Sequence, residues 1–320
     1  VRAAIVNSGF TFPAKRITIN LTPANVAKEG SHLDLAIALS ILIASKQLPE
    51  HAADGIMMVG ELGLNGKLHP TVGVLNLAEC AATTKHVSII VPQQNAGQAA
   101  LVHDVSVVGA TTLNSVCQHL LSEQVISPTI STVVNNNCTY STTIDDICGQ
   151  TTAKRALEIA AAGHHNILFT GPPGSGKTML AKALPSILPP LTSQEILETT
   201  KLHSLANESD DIITTRPFRS PHHTASYVAM VGGGANIAPG EISLAHNGVL
   251  FLDEIPEFPK RTLEALRQPL EDRQIHISRA GAKATYPANF MLLATMNPCP
   301  CGYYGDPAHE CECSQQMIQA

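Results

Sequence analysis

Gly171-Pro-Pro-Gly-Ser-Gly-Lys-Thr178 decides the reading of this chain. It fits G-x-x-x-x-G-K-[ST] at every fixed position and stands between the apolar run Asn166-Ile-Leu-Phe-Thr170 and the helix-like Met179-Leu-Ala-Lys-Ala-Leu184. Strand, glycine-rich loop and helix in that order bring backbone N–H groups and a helix N-terminus around phosphate oxygens. Lys177 is expected to reach the β- and γ-phosphates, and Thr178 to place its hydroxyl on Mg²⁺. Gly171, Pro172, Pro173, Gly174, Ser175, Gly176 and Met179 complete the expected nucleotide contact. The bland alternative is a chance glycine loop, and Val249-Leu-Phe-Leu-Asp-Glu254 argues against it. That all-apolar run has the pattern of a central parallel strand buried on both faces, ending in two carboxylates. Asp253 is placed to hold Mg²⁺, and Glu254 to orient or deprotonate an attacking water. A third strand-like run, Phe290-Met-Leu-Leu-Ala-Thr295, ends near Asn297, whose side chain can hydrogen-bond the γ-phosphate or that water. The pattern predicts a nucleoside triphosphate site with Lys177, Glu254 and Asn297 as its catalytic set, and ATP with Mg²⁺ as its ligands.

Composition sets the outer bounds. A chain of 320 residues can hold two domains. Its formal charge of −6 excludes a global basic footprint, so nucleic acid would have to meet a local patch. No apolar run approaches the ~18–20 residues of a membrane span, and no signal peptide is visible. Eight cysteines in a chain of this length do not suggest a secreted disulfide scaffold, and together with the nucleotide site they point to the cytoplasm. Tryptophan is absent and aromatics make up 4%, so the core must be aliphatic. The chain begins at Val1 inside a helix-like stretch, Arg2–Asn7, and is expected to be a piece of a longer protein.

The first 122 residues mix strands and helices. Arg16-Ile-Thr-Ile-Asn-Leu21 alternates as a strand does, and Leu33 to Ala44 predicts an apolar helix. Ser88-Ile-Ile-Val91 and Val105-Ser-Val-Val108 predict short buried strands. Residues 123–143, rich in Ser, Thr and Asn, predict a linker. The second domain, residues 144–320, opens with Ile144-Asp-Asp-Ile-Cys-Gly-Gln150 and an amphipathic helix over Thr152–Ala162. Strands and helices then alternate, which predicts a parallel sheet covered on both faces. There is no internal repeat.

Cys299-Pro-Cys301 and Cys311-Glu-Cys313 place four thiols within fifteen positions, enough for a tetrahedral structural Zn²⁺ site with His309 as a spare ligand. C-x-C is tighter than the usual spacing, and free buried cysteines are the alternative. Cys80, Cys117, Cys138 and Cys148 are dispersed and read as core or loop residues.

The P-loop, the Asp-Glu strand and the Asn-tipped strand together resemble the AAA+ ATPase core. Asp145-Asp-Ile-Cys-Gly-Gln150 is similar to the segment that packs on adenine in that superfamily. Pro217-Phe-Arg-Ser-Pro-His-His-Thr-Ala-Ser226, the glycine-rich Gly232–Gly248 and Met296-Asn-Pro-Cys-Pro-Cys-Gly302 look like the magnesium-chelatase-like AAA+ proteins of the ComM/YifB family, over the whole chain. The resemblance implies a homohexameric ATPase acting on branched or single-stranded DNA as a branch-migration helicase in natural transformation. The competing implication is a chelatase-like ATPase that remodels a protein partner. In related AAA+ helicases an insert before the third strand enters a central pore. Here Arg273–Phe290 fits a β-hairpin with its tip at Ala280-Gly281-Ala282. Arg279 and Lys283 flank that tip as candidates to grip DNA phosphates, or as ordinary surface cations. His222 and His223 read as packing residues, with nucleotide, metal or subunit contact as the sharper options. Only 23 residues follow Asn297 (320 − 297), too few for the AAA+ lid domain. The arginines that such engines take from a neighbouring subunit and from the lid have only Arg219 and Arg279 as candidates. Weak turnover by this chain alone is the corresponding expectation.

The first domain resembles Lon-type proteases, an α/β fold like ribosomal protein S5 domain 2, with its first part expected to be missing. Lys28–Leu39 matches the segment of the nucleophilic serine and Gly60–Leu77 that of the lysine. His32 stands where the serine belongs and Leu77 where the lysine belongs, so the Ser–Lys chemistry is lost. Ser31 is one position off. A scaffold for subunits or nucleic acid is the better expectation for this domain than a hydrolase.

Overall fold

A strand that is apolar at every position belongs in the middle of a sheet, and Val249–Leu252 sits there with all four residues buried. The computed structural model describes residues 1–22, 30–130, 140–206, 211–234, 237–279, 282–305 and 309–319. It divides into two compact units, Val1–Val134 with Asn207–Ile212, and Asn135–Ala206 with Ile213–Ala320. Asn207–Ile212 thus fall outside the second domain expected over residues 144–320. Of the linker read over 123–143, residues 131–139 lie outside the described residues.

The first unit runs α1 (Arg2–Asn7), α2 (Asp34–Ala44), β1 (Ile56–Met58), the hairpin β2 (Glu61–Leu62) and β3 (Leu68–His69), α3 (Val74–Thr83), β4 (Ser88–Pro92), α4 (Ala96–Ala99), β5 (Ser106–Ala110) and α5 (Leu113–Leu120). Strands β1, β4 and β5 form a parallel sheet with β4 in the middle. Its core is aliphatic, as a tryptophan-free sequence requires: Ile5, Leu35, Leu39, Leu42, Ile90 and Leu113 are buried together. A capping box closes the start of α5, with Ser115 N–H donating to Thr112 Oγ1 and Thr112 N–H to Ser115 Oγ.

One expectation fails here. Residues 16–21 form no strand, and Ile17, Ile19 and Leu21 are exposed. Alternation assigns side chains to two faces, but a strand also needs a neighbour for its backbone N–H and C=O groups. No strand among the described residues pairs with this segment.

The second unit runs α6 (Thr151–Gly163), β6 (Ile167–Thr170), α7 (Lys177–Ala183), α8 (Ser193–Leu205), β7 (Phe218–Arg219), α9 (Tyr227–Val231), the short pair β8 (Gly232–Gly233) and β9 (Ala238–Pro239), α10 (Glu241–Leu244), β10 (Val249–Leu252), α11 (Lys260–Glu264), α12 (Arg267–Asp272), β11 (Gln274–Arg279), β12 (Ala282–Pro287), β13 (Met291–Met296) and α13 (Gln315–Gln319). Its main sheet is wholly parallel, in the order β6-β13-β10-β7. Period-two alternation sends Val249 and Phe251 of β10 to one core, with Leu157 of α6, Leu180 of α7 and Leu184 just after α7. Leu250 and Leu252 face the other core, with Met230, Ile242, Leu266 and Ile275. Truncating Phe251, 1% exposed, to alanine would cost about 3–5 kcal/mol. The expected hairpin is present as β11–β12, in register from Gln274↔Pro287 to Arg279↔Ala282. Ile275 and Ile277 are buried, so one face of the hairpin belongs to the core.

At the edge where β10 and β13 begin, α8 is tied down by polar contacts. His246, 4% exposed, accepts the Asn289 N–H at Nδ1 (3.0 Å) and faces Glu198 through Nε2 at 3.2 Å. Arg216 donates to Asn247 O at 2.7 Å and to Glu195 Oε1 at 3.2 Å. Glu195 also closes the capping box of α8, with Thr192 N–H donating to its carboxylate at 2.8 Å. Burial holds the His246 imidazole below the ordinary histidine range, against the pull of Glu198. The unfolded chain therefore binds this proton more readily than the folded one, and the stability that neutral His246 contributes is lost as pH falls through its folded value. We expect the second unit to melt at a lower temperature at about pH 5 than at about pH 7. His246→Gln should cost roughly 1–3 kcal/mol at neutral pH and flatten that dependence, as read by circular dichroism melts.

Candidate functional site

The nucleotide-site residues come together because β6, β13 and β10 are parallel neighbours whose carboxyl ends share one edge. After β6 the chain turns through Gly174 and Gly176, at φ +75° and +85°, a left-handed backbone that glycine adopts without Cβ strain. Helix α7 then begins at Lys177. The Lys177 ammonium donates to Gly171 O (2.8 Å), Pro172 O (2.9 Å) and Asn297 Oδ1 (3.2 Å). The Thr178 hydroxyl donates to Asp253 Oδ2 at 3.2 Å. Gln150, at the end of the segment likened to the adenine-packing one, donates from its side-chain amide to Ser175 O at 3.0 Å. Ser175 Oγ is buried with no hydrogen-bond partner among the described residues. Met179 is exposed on α7.

Glu254 sits at the tip of β10 with φ +55°, an uncommon conformation for a side chain of this size. What holds it is Thr295, a residue the sequence reading passed over as the end of a strand. The Thr295 hydroxyl accepts the Glu254 N–H at 3.0 Å and donates to Asp253 Oδ1. Thr295 is fully buried. A lone hydroxyl in an otherwise aliphatic run ahead of Asn297 was the signal available, since a buried hydroxyl must have a partner.

The donor set fits the ligands the motif implies. Mg²⁺ takes hard oxygen ligands, one or two from protein and the rest from phosphate and water. Thr178 and Asp253 offer a hydroxyl and a carboxylate side by side. Loop amides and the Lys177 ammonium offer donors for phosphate oxygens.

A family model described as magnesium chelatase, subunit ChlI, matches residues 143–320, and one described as subunit ChlI of Mg-chelatase matches residues 1–95. YifB of Salmonella typhimurium is 48% identical over 320 residues, covering 99% of this chain and 63% of that protein. The competence protein ComM of Haemophilus influenzae is 49% identical over 310 residues, covering 95% of this chain and 61% of that protein. The chain belongs to the ComM/YifB family of magnesium-chelatase-like AAA+ proteins. It spans a little under two thirds of the length of these relatives. The structure of NtrX from Brucella abortus with ADP aligns at 22% identity and a TM-score of 0.33, over 47% of this chain and 30% of that one, a likeness too partial for argument.

The sulfurs of Cys299, Cys301, Cys311 and Cys313 all lie within 4.8 Å of one another. That set does not include His309, whose ring stacks on Tyr303. Cys301 is drawn down to about 6, first by a backbone hydrogen bond at Tyr303 and then by the Cys299 thiol. Cys117 is buried in the first unit, and burial pushes its thiol up to about 12. Cys80 and Cys148 are exposed, and Cys138 lies outside the described residues. His222 and His223 pack on each other at 4.1 Å between centroids, and His223 meets Phe258 edge-on. Arg219 is engaged within its own unit by a two-pronged pair with Glu241, at 2.7 and 2.8 Å. Lys283 is exposed on β12; the Arg279 side chain and residues 280–281 lie outside the described residues. In the first unit Ser31 Oγ donates to the Glu61 carboxylate, not to the lysine amine a Ser–Lys dyad needs.

Thr295→Val keeps the shape of the core but strips the Asp253 oxygen and the Glu254 N–H of their shared partner. We expect it to weaken Mg²⁺–nucleotide binding roughly tenfold, with Thr295→Ser close to the parent, as measured with a fluorescent ATP analogue.

Proposed function

We propose that this chain is the nucleotide-binding core of an ATP-driven DNA motor, a homohexamer of the ComM type that migrates DNA branches in the cytoplasm. The observation that supports an ATPase best is the double pairing of Lys177 with Asn297 and Thr178 with Asp253 at one sheet edge. In this reading Lys177 releases its loop carbonyls to hold β- and γ-phosphate oxygens, while Gly171–Thr178 wraps the chain of phosphates. Thr178 and Asp253 would hold Mg²⁺, which neutralises developing phosphate charge when bound. Glu254 orients the attacking water and takes its proton, and Asn297 positions that water or the γ-phosphate. With Arg219 tied to Glu241, we assign the arginine that completes the site to a neighbouring subunit. The first unit serves as an inert Lon-like scaffold.

The β11–β12 hairpin is the proposed DNA contact, with Lys283 exposed on β12 opposite Ser278, and Arg279 paired with Ala282 in the last described register of the hairpin. A chelatase-like ATPase working on a protein partner is the second reading, favoured by the family model over residues 143–320. Full-length protein assayed for ATP hydrolysis with and without forked or four-way DNA separates the two. DNA stimulation supports the motor. No stimulation and no DNA binding at low salt would leave the chelatase-like reading. Glu254→Gln is expected to bind ATP while lowering kcat roughly 10²- to 10⁴-fold. Arg279→Ala with Lys283→Ala is expected to weaken DNA binding and flatten its salt dependence.

A further inference from the structure

The four-cysteine loop begins two residues after Asn297 and lies directly on the P-loop. Cys299 Sγ stands 3.2 Å from Cys301 Sγ and 3.7 Å from Cys311 Sγ, with Cys301 and Cys311 3.6 Å apart. A tetrahedral zinc with Zn–S bonds of about 2.3 Å holds its sulfurs about 3.8 Å apart, close to this spacing. Backbone N–H groups already point at two sulfurs, Cys301 N–H at Cys313 (3.4 Å) and Tyr304 N–H at Cys299 (3.3 Å). Such donors orient and stabilise thiolate ligands.

Between the two cysteine pairs lies Gly302, buried and at φ +88°, its N–H donating to Cys299 O at 2.9 Å. A Cβ at Gly302 would fall 2.5 Å from Cδ and 2.8 Å from Cγ of Pro173. The backbone of the cysteine loop therefore lies flush against the proline ring that precedes Gly174, where the phosphate loop turns left-handed. The same loop is continuous with Asn297, the partner of Lys177.

We propose that Cys299, Cys301, Cys311 and Cys313 bind one zinc ion, and that the closed loop clamps the P-loop through Gly302 and Pro173, so that metal and nucleotide bind cooperatively. The coupling rests on the reading of this cluster as a metal site. A metal closes residues 299–313 into one ring and pins Gly302. Pro173 and Asn297 are then held where the phosphate loop needs them before nucleotide arrives, which spares binding the cost of ordering them. Linkage makes the effect reciprocal: nucleotide must tighten metal by the same factor.

The test uses full-length protein. Metal content is measured by mass spectrometry, and affinity for a fluorescent ATP analogue is measured on zinc-loaded protein, on protein stripped by chelator, and after zinc is restored. The expected result is one zinc per chain, roughly tenfold weaker nucleotide binding after stripping, and recovery on re-addition. Cys311→Ser with Cys313→Ser should lose the metal and show the same weakening. Gly302→Ala should keep the zinc yet bind nucleotide about tenfold more weakly, which probes the clamp in folded, metal-loaded protein. ATP should slow the loss of zinc to a chelator. Full nucleotide affinity in both the stripped protein and Gly302→Ala overturns the coupling and leaves the metal site standing. Absence of bound zinc overturns the metal reading beneath it.

Discussion

The site depends on β13 lying between β6 and β10. Lys177 meets Asn297 across 120 positions of sequence, and Thr178 meets Asp253 across 75. Neither pair could form unless the three parallel strands ended together. A slip of one residue would also swap the faces of β10, moving Phe251 from the core it shares with Leu157 and Leu180 into the opposite one. The packing that makes the strand stable is therefore the same constraint that aims the carboxylates. Thr295 sharpens that aim, because its one buried hydroxyl serves Asp253 and the Glu254 backbone together.

The two edges of the sheet are built on opposite principles. At the entry edge, Arg216, Glu195, Glu198, His246, Asn247 and Asn289 meet one another's polar groups within the protein. Satisfied polar networks of this kind rigidify a register, since the buried members here, His246 and Asn247, would lose their partners if displaced. At the exit edge Lys177 rests on carbonyls of its own loop, which a ligand oxygen can replace. Rigidity at one edge supports ligand-ready groups at the other. Close contact between Gly302 and Pro173 adds a third brace, from a loop whose cysteines lie apart from every strand of the sheet.

Much of this was legible in the residues. Glycines at 174 and 176 just before Lys177 announce a loop that needs left-handed turns, and Val249–Leu252 announces burial on both faces because no position is polar. The hairpin was legible from Ile275 and Ile277 alternating with polar neighbours. Arg16–Leu21 shows the limit of the same logic, since its alternation named two faces without naming a partner strand. Neither the role of Thr295 nor the bond from Gln150 to Ser175 is legible there, because both are set by what lies across the sheet or loop. The pair formed by Arg219 and Glu241 is hidden for the same reason: 22 positions of intervening chain fold back before the two can meet.

By itself the sequence determined the chemistry on offer: a phosphate loop, two carboxylates at a strand end, an asparagine, four clustered thiols. Local spacing is enough for that, because loop conformation and strand burial follow from a few neighbouring residues. Only the tertiary structure decided which of these groups meet. Strand order placed Asn297 on Lys177 and Thr295 beneath Asp253, and packing of Gly302 on Pro173 joined the thiol cluster to the nucleotide loop. Those meetings depend on contacts between distant segments, and no short-range pattern in the chain encodes them.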